Sequence, residues 1–163
     1  MLKVSFIEPY KKIEVFNNKI TKVTLTGYIK HQDNILFSGN FPKDMNEWFW
    51  ENPYVEFDTD YAHDRFIIKT SGYSSKSEED TFDSVIGERI AEARAKLKVY
   101  KFIRMLLIKK MQYLYGIMYG NSEIKVTESH SEAPKDCMYL TLHKYNKLIK
   151  REEEHLQNLT KWA

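Results

Sequence analysis

Cysteine, glycine and proline are all scarce in this chain of 163 residues. It has one cysteine, six glycines and four prolines. The single thiol, Cys137, excludes an internal disulfide and any structural zinc site built on several cysteines. The shortage of Gly and Pro excludes a collagen, a linker or a disordered tract. Because an isolated cysteine is typical of reducing compartments, we expect a cytoplasmic protein.

Long hydrophobic runs are also missing. The most apolar stretch, Phe102–Ile108, contains Arg104 and is flanked by lysines. A bilayer-spanning helix needs roughly 20 predominantly apolar residues, so this stretch is too short and too charged to be one. The N-terminal segment is interrupted by Lys3 and Glu8, unlike a signal peptide. We therefore expect a soluble protein without a membrane partner.

Motifs for catalysis or cofactor binding are absent too. The scattered glycines form neither a G-x-G nor a G-K-[ST] pattern, which excludes the common phosphate-binding loops. Acidic and His residues cluster in Asp58–Asp64, but their spacing matches no standard metal site. His130 lies between two glutamates but close to Pro134, so we expect a polar loop there, not an acid–base pair. We predict no catalytic residue, no metal, no cofactor and no enzymatic activity.

Hydrophobic residues make up 42% of the chain, enough for one core in a single domain over residues 1–163. Alternating apolar residues over 1–72 predict an antiparallel sheet of about five to seven strands, because the connections are too short for parallel crossovers. The predicted strands are Leu2–Ile7, Ile13–Phe16, Ile20–Ile29, Ile35–Ser38, Tyr54–Phe57 and Arg65–Thr70, with turns at Asn17-Asn18 and Gln32–Asn34, a short helix at Met45–Trp50, and loops at Asp58–Asp64 and Tyr73–Asp80.

The second half of the chain predicts helices, which makes the fold class α+β. Apolar residues recur in steps of four and three over residues 80–119, which predicts one long central helix from about Phe82 to Tyr119. Residues 122–140 predict a strand and a loop, with a last short strand at Met138–Leu140, and residues 141–161 a shorter C-terminal helix. The apolar seam of the long helix is Ile86, Ile90, Ala93, Leu97, Tyr100, Leu107, Met111, Leu114 and Met118, interrupted only by Arg104.

Charge is distributed unevenly along the long helix. Seven Lys or Arg and no Asp or Glu lie between Ala93 and Met118, although the whole chain carries only +2. At 100° per residue, one flank of the seam collects a set that we call the basic flank: Arg94, Lys98, Lys101 and Lys109. Three interpretations are open, namely pairing with the chain's own acids such as Glu152–Glu154, an acidic protein partner, or nucleic acid phosphates with tyrosines stacking on bases.

Two further features predict contacts. Gly87, Ala91 and Ala95 form a strip of small residues nearly opposite the apolar seam, which favours close approach of a second element or subunit. A homodimer through this small-residue strip, or through Met105, Met111 and Met118, is one interpretation. Three adjacent aromatics, Trp48, Phe49 and Trp50, cannot all point inward from one helix. They either cover the core or contribute to a partner or oligomer interface, and for the second interpretation Trp48 and Trp50 are the candidate contact residues.

The segment Glu79–Lys101 has an acidic D-x-F-D entry followed by G-x-x-x-A-x-x-R-A and basic residues. This pattern resembles a motif of small uncharacterised phage and prophage proteins. The matching positions are Asp80, Phe82, Asp83, Gly87, Ala91, Arg94 and Ala95. The resemblance covers about a seventh of the chain, and it implies a phage accessory protein that acts in the host cytoplasm on host machinery or defence.

The sequence thus favours a non-enzymatic protein that works by binding another protein. An acidic partner surface is expected, with a nucleic-acid-binding module as the alternative. The expected contact residues are Arg94, Lys98, Lys101, Lys109, Trp48 and Trp50.

Overall fold

The computed structural model describes residues 5–6, 11–30, 56–60, 65–76, 84–115 and 133–161. Within these residues the chain forms five strands followed by two helices. Their bounds are β1 Ser5–Phe6, β2 Lys12–Phe16, β3 Ile20–Lys30, β4 Glu56–Asp60, β5 Arg65–Ser75, α1 Ser84–Tyr115 and α2 Ala133–Lys161. The predicted α+β class is confirmed.

The strands form one antiparallel sheet centred on β3 and β5. These two strands pair along their whole length, from Ile20 opposite Ser75 to Lys30 opposite Arg65. Strands β1 and β2 both pair with the other side of β3, and β4 pairs with the first half of β5. The predicted strand Ile35–Ser38 and the helix Met45–Trp50 lie outside the described residues, so the expected total of five to seven strands stays a prediction.

The turn between β2 and β3 is confirmed at the predicted place. Asn17 and Asn18 both have φ of 52°, in the left-handed region that Asn tolerates better than most residues. The N–H of Lys19 donates to the Phe16 carbonyl at 3.0 Å and closes the turn. The two polar residues therefore set the register in which Val15 lies opposite Thr21.

Two strand ends were predicted wrongly. Strand β5 continues to Ser75, where the polar composition had predicted a loop from Tyr73, and β4 continues to Asp60. In β5 the small residues Thr70, Gly72 and Ser74 are buried, and Tyr73 between them is exposed. Buried and exposed side chains therefore alternate along this part of β5, as they do in any strand with one buried face. The buried residues are small and mostly polar, so the sequence shows no alternating hydrophobic pattern there.

The start of α2 was also predicted wrongly. This helix begins at Ala133 and so includes Cys137 and the segment Met138–Leu140, which we had expected to be loop and strand before a helix at residues 141–161. Pro134 had indicated the end of a strand, but it lies in the first turn of the helix. Proline is tolerated there because the first N–H groups of a helix have no intrahelical partner.

Helix α1 lies between the sheet and α2. Its apolar seam is buried at Ile90, Ala93, Leu97, Leu107 and Met111, which confirms the predicted periodicity. The seam faces α2: the Tyr100 and Tyr145 rings meet edge to face with centroids 6.2 Å apart, and Arg104, which interrupts the seam, donates to Asn146 Oδ1 at 3.4 Å.

The opposite face of α1 packs on the sheet. Ala91 and Ala95 of the small-residue strip are fully buried in a cluster with Val23 and Leu25 of β3. Thr70 Oγ1 donates to the Ala95 carbonyl at 3.2 Å, which ties β5 to the strip. Packing of the helix on two sides, as predicted, is therefore confirmed. A homodimer through the strip is wrong, because the chain's own sheet covers it.

Candidate partner-binding site

The site begins with the close approach of β5 to α1 at Gly72. A Cβ atom at this position would lie 2.6 Å from the Ala95 nitrogen and closer still to the Ala91 carbonyl oxygen. Only a residue without a side chain fits between the strand and the helix backbone. The contact brings the basic side chains of α1 up against the second half of β5.

The second half of β5 pairs with β3 on one side, and on its other side it has no partner strand among the described residues. As far as the structure describes β4, this strand covers β5 up to Lys69, which lies opposite Glu56. In an antiparallel ladder, alternate residues direct both main-chain groups to the same side. The N–H of Lys76 donates to the Lys19 carbonyl at 2.9 Å, so the main-chain groups of the even-numbered residues of β5 point toward β3. The main-chain groups of Ser71, Tyr73 and Ser75, which we call the free edge, therefore point away from β3, and no described strand pairs with them.

Two members of the basic flank bind carbonyls of the free edge. Arg94 Nη1 donates to the Tyr73 carbonyl at 2.6 Å, and Lys98 Nζ donates to the Ser71 carbonyl at 2.6 Å. Lys98 Nζ also lies 5.9 Å from the centroid of the Tyr73 ring, whose other neighbour, Lys22, lies at 5.7 Å. Two ammonium groups therefore lie close to the Tyr73 ring, a contact that its electron-rich face favours.

These residues line an open groove of about 350 Å³ between β5 and α1. Its lining is Gly72, Tyr73, Arg94, Leu97, Lys98 and Lys101. Lys101 pairs with Glu153 at 3.2 Å, and both side chains are about half exposed, at 49% and 48%. This pair confirms that one acid of α2 reaches the basic flank. In the part of the chain that the structure describes, Arg94 and Lys98 donate hydrogen bonds to neutral carbonyls, and no acidic side chain pairs with either of them.

The groove contains three of the six predicted contact residues. Lys109 lies eight residues beyond Lys101, about 12 Å further along α1 at 1.5 Å per residue, and does not line the groove. Trp48 and Trp50 lie outside the described residues. Of the methionines proposed for dimer contact, Met105 is 43% exposed and Met111 is fully buried.

The free edge itself was missed by the sequence analysis. The groups of the free edge that bind the cations are the main-chain carbonyls of Ser71 and Tyr73. Every residue has such a carbonyl, so residue type does not indicate this role. The available signal was the alternation of Thr70, Gly72 and Ser74, small residues suited to a strand that lies against a helix. Composition alone outweighed that signal because Ser and Gly are common in loops.

A second cluster of charges lies on the other flank of α1 and is internally satisfied. Lys11 Nζ contacts Glu88 at 2.8 Å and Glu92 at 2.9 Å, and Lys96 contacts Glu92 at 3.7 Å. Burial alone disfavours the Lys11 ammonium, but its hydrogen bonds with Glu88 and Glu92 outweigh this effect and raise the pKa of Lys11. These ion pairs connect the start of β2 to α1, and the two glutamates balance the charges of Lys11 and Lys96.

The residues that the structure describes contain neither a metal-binding cluster nor a membrane-spanning helix. Over the described ranges, no group of three or more His, Cys, Asp or Glu is arranged to hold a metal ion. His63 and His130, the imidazoles considered for chemistry, lie outside those ranges. Neither helix, as far as it is described, is long and apolar enough to cross a bilayer.

Comparison with known proteins adds no relative. No protein-family model matches the chain, and no curated protein or solved structure matches it. The function must therefore be argued from the groove.

Proposed function

We propose that this protein is a non-enzymatic binding protein that captures an acidic surface of another protein through Arg94, Lys98 and Lys101. The observation that carries the proposal is the pairing of Arg94 and Lys98 with neutral carbonyls, at 2.6 Å each. A carbonyl orders a cation without cancelling its charge. A carboxylate brought by a partner would therefore find cations that are already positioned, and hydrogen bonds between ions are stronger than those to neutral groups.

An acidic protein suits this site better than a nucleic acid does. Arg94 to Lys101 spans seven residues, about 10 Å of helix, and the two anchored side chains turn toward β5. Duplex phosphates need several cations spread along a broad surface, whereas Arg94 and Lys98 are directed into the groove beside β5. The phage-type motif over Glu79–Lys101 supports a narrower version of the proposal, an accessory protein that inhibits host machinery or defence.

Charge reversal tests the proposal. Lys98→Glu with Lys101→Glu should abolish capture of protein partners from host-cell extract, because both cations line the groove. The matched control is Lys147→Glu with Lys150→Glu, which changes the net charge equally on exposed positions of α2. The control should retain capture, and circular dichroism should show both variants folded. Equal capture by the two variants would assign the binding to another surface.

Salt dependence tests the nucleic-acid alternative. Labelled DNA and RNA would be titrated with the protein at about 50 and about 200 mM salt, a range over which phosphate-dominated binding weakens by orders of magnitude. We expect no binding that the Lys98→Glu and Lys101→Glu changes remove. Tight, salt-sensitive binding that these changes abolish would favour the nucleic-acid module.

A further inference from the structure

The basic flank lies beside a strand edge that no strand among the described residues pairs, and this combination identifies the kind of segment that the groove takes. We propose that the partner contributes an extended acidic segment, which adds to the sheet as a strand along Ser71–Ser75. The inference rests on the proposed function and specifies its mode of binding. Adding a strand to an open sheet edge is a common way to recognise peptides, because main-chain hydrogen bonds give affinity and alternate side chains give specificity.

The main chain of the free edge is suitably placed for such an addition. Ser71, Tyr73 and Ser75 direct their N–H and C=O groups away from β3, in continuation of the ladder that β4 makes with Lys69. An added strand would lie about 4.8 Å from β5 and so in the groove. Every second side chain of that strand would face α1. Those side chains would meet Arg94, Lys98 and Lys101.

The two cations on the carbonyls make the edge selective. Arg94 and Lys98 occupy the Tyr73 and Ser71 carbonyls, so an incoming strand must displace both hydrogen bonds. Cationic side chains are a known means of protecting a strand edge from indiscriminate pairing. A neutral strand offers the displaced cations nothing in return. A strand with carboxylates facing α1 gives Arg94 and Lys98 a charged partner in place of the carbonyls that they lose. The free edge therefore accepts acidic segments in preference to neutral ones.

The opposite border of the sheet lacks this combination. Strand β2 exposes Ile13 and Val15, at 45% and 46%. Its outward charges, Lys12 and Glu14, have opposite signs and contact each other at 3.4 Å. The two charges of β2 therefore balance each other and do not favour an acidic strand, so the β5 edge is the one assigned.

Synthetic peptides separate strand addition from charge attraction alone. The probe is a blocked peptide of alternating Glu and Val, titrated into isotope-labelled full-length protein and followed by NMR. Two derivatives carry N-methyl groups on every second residue, one in each phase, which keeps all charges but removes the N–H groups along one side. A Gln and Val peptide of the same length controls for charge.

Strand addition predicts loss in one phase only. The Glu and Val peptide should bind, slow the hydrogen exchange of the Tyr73 and Ser75 amides, and bind at least about tenfold more tightly than one methylated phase. The other phase should bind like the parent, and the Gln and Val peptide should not bind. Equal binding of both phases, abolished by Lys98→Glu with Lys101→Glu, would overturn strand addition and leave the proposed function standing. No binding by any acidic peptide would overturn strand addition, and the capture experiment with the Lys98→Glu and Lys101→Glu changes would still decide the proposed function.

Discussion

Replacing Gly72 by alanine tests the close approach on which the groove depends. The new Cβ would lie 2.6 Å from the Ala95 nitrogen, and ordinary contact begins at 3.4 Å, so strand and helix must separate by at least the 0.8 Å difference. The Ala91 oxygen requires a larger shift. Overpacking typically costs about 1 to 3 kcal/mol. We expect about 3 kcal/mol, because the opposing atoms belong to a helix backbone that cannot rotate away.

The sign of the effect makes this test decisive. Alanine restricts the unfolded chain more than glycine does, which stabilises a protein by about 0.4 to 1 kcal/mol where the folded state accepts the Cβ. Gly87→Ala is the matched control, because the atoms nearest to its Cβ would belong to side chains and not to a backbone, namely the hydroxyls of Thr21 at 3.1 Å and Ser74 at 3.2 Å. These can shift slightly, and alanine favours a helix by up to about 1 kcal/mol, so Gly87→Ala should be neutral or stabilising.

Urea denaturation measures both changes as shifts in the unfolding midpoint at constant slope. Gly72→Ala should also weaken acidic-peptide binding, since separating β5 from α1 moves Arg94 and Lys98 away from the free edge. A Gly72→Ala protein as stable as the parent would refute the close approach, and with it the account of how the groove is formed.

Two hydroxyls and one ammonium group give further predictions. Thr21 Oγ1 is buried without a hydrogen-bond partner in the described part of the chain, so Thr21→Val should stabilise the protein by about 1 kcal/mol. Thr70→Val, in contrast, loses a buried hydrogen bond to α1 and should destabilise the protein by about 1 kcal/mol. Thermal unfolding of the two variants checks this, and changes of the same sign would contradict it. Lys11→Met removes the contacts with Glu88 and Glu92 and should cost about 0.5 to 1 kcal/mol at neutral pH. The pKa of Lys11 is raised in the folded protein, so the destabilisation caused by Lys11→Met should persist up to pH 10.5, the usual pKa of lysine, and disappear at higher pH. Urea denaturation at a series of pH values checks this, and a destabilisation that grew above pH 10.5 would contradict the assignment.

Part of the fold could be predicted because its signals are local. The seam of α1 repeats every three to four residues, and the Asn17-Asn18 turn is set by two residues that tolerate positive φ. The basic flank could be placed in the same way, since charges three and four residues apart share a face of any helix. The small-residue strip likewise predicted close packing at Ala91 and Ala95, but local sequence did not say what would cover it.

The sequence by itself determined the α+β class, the long helix and its asymmetric charge, because periodicity and charge belong to single segments. Only the tertiary structure decided what the charges do. Arg94 and Lys98 reach Tyr73 and Ser71 across 21 and 27 residues of chain, and they reach carbonyls, not side chains. That contact exists because Gly72 lets a strand lie directly on a helix. Such a fit depends on two surfaces meeting, so no pattern within either segment contains it.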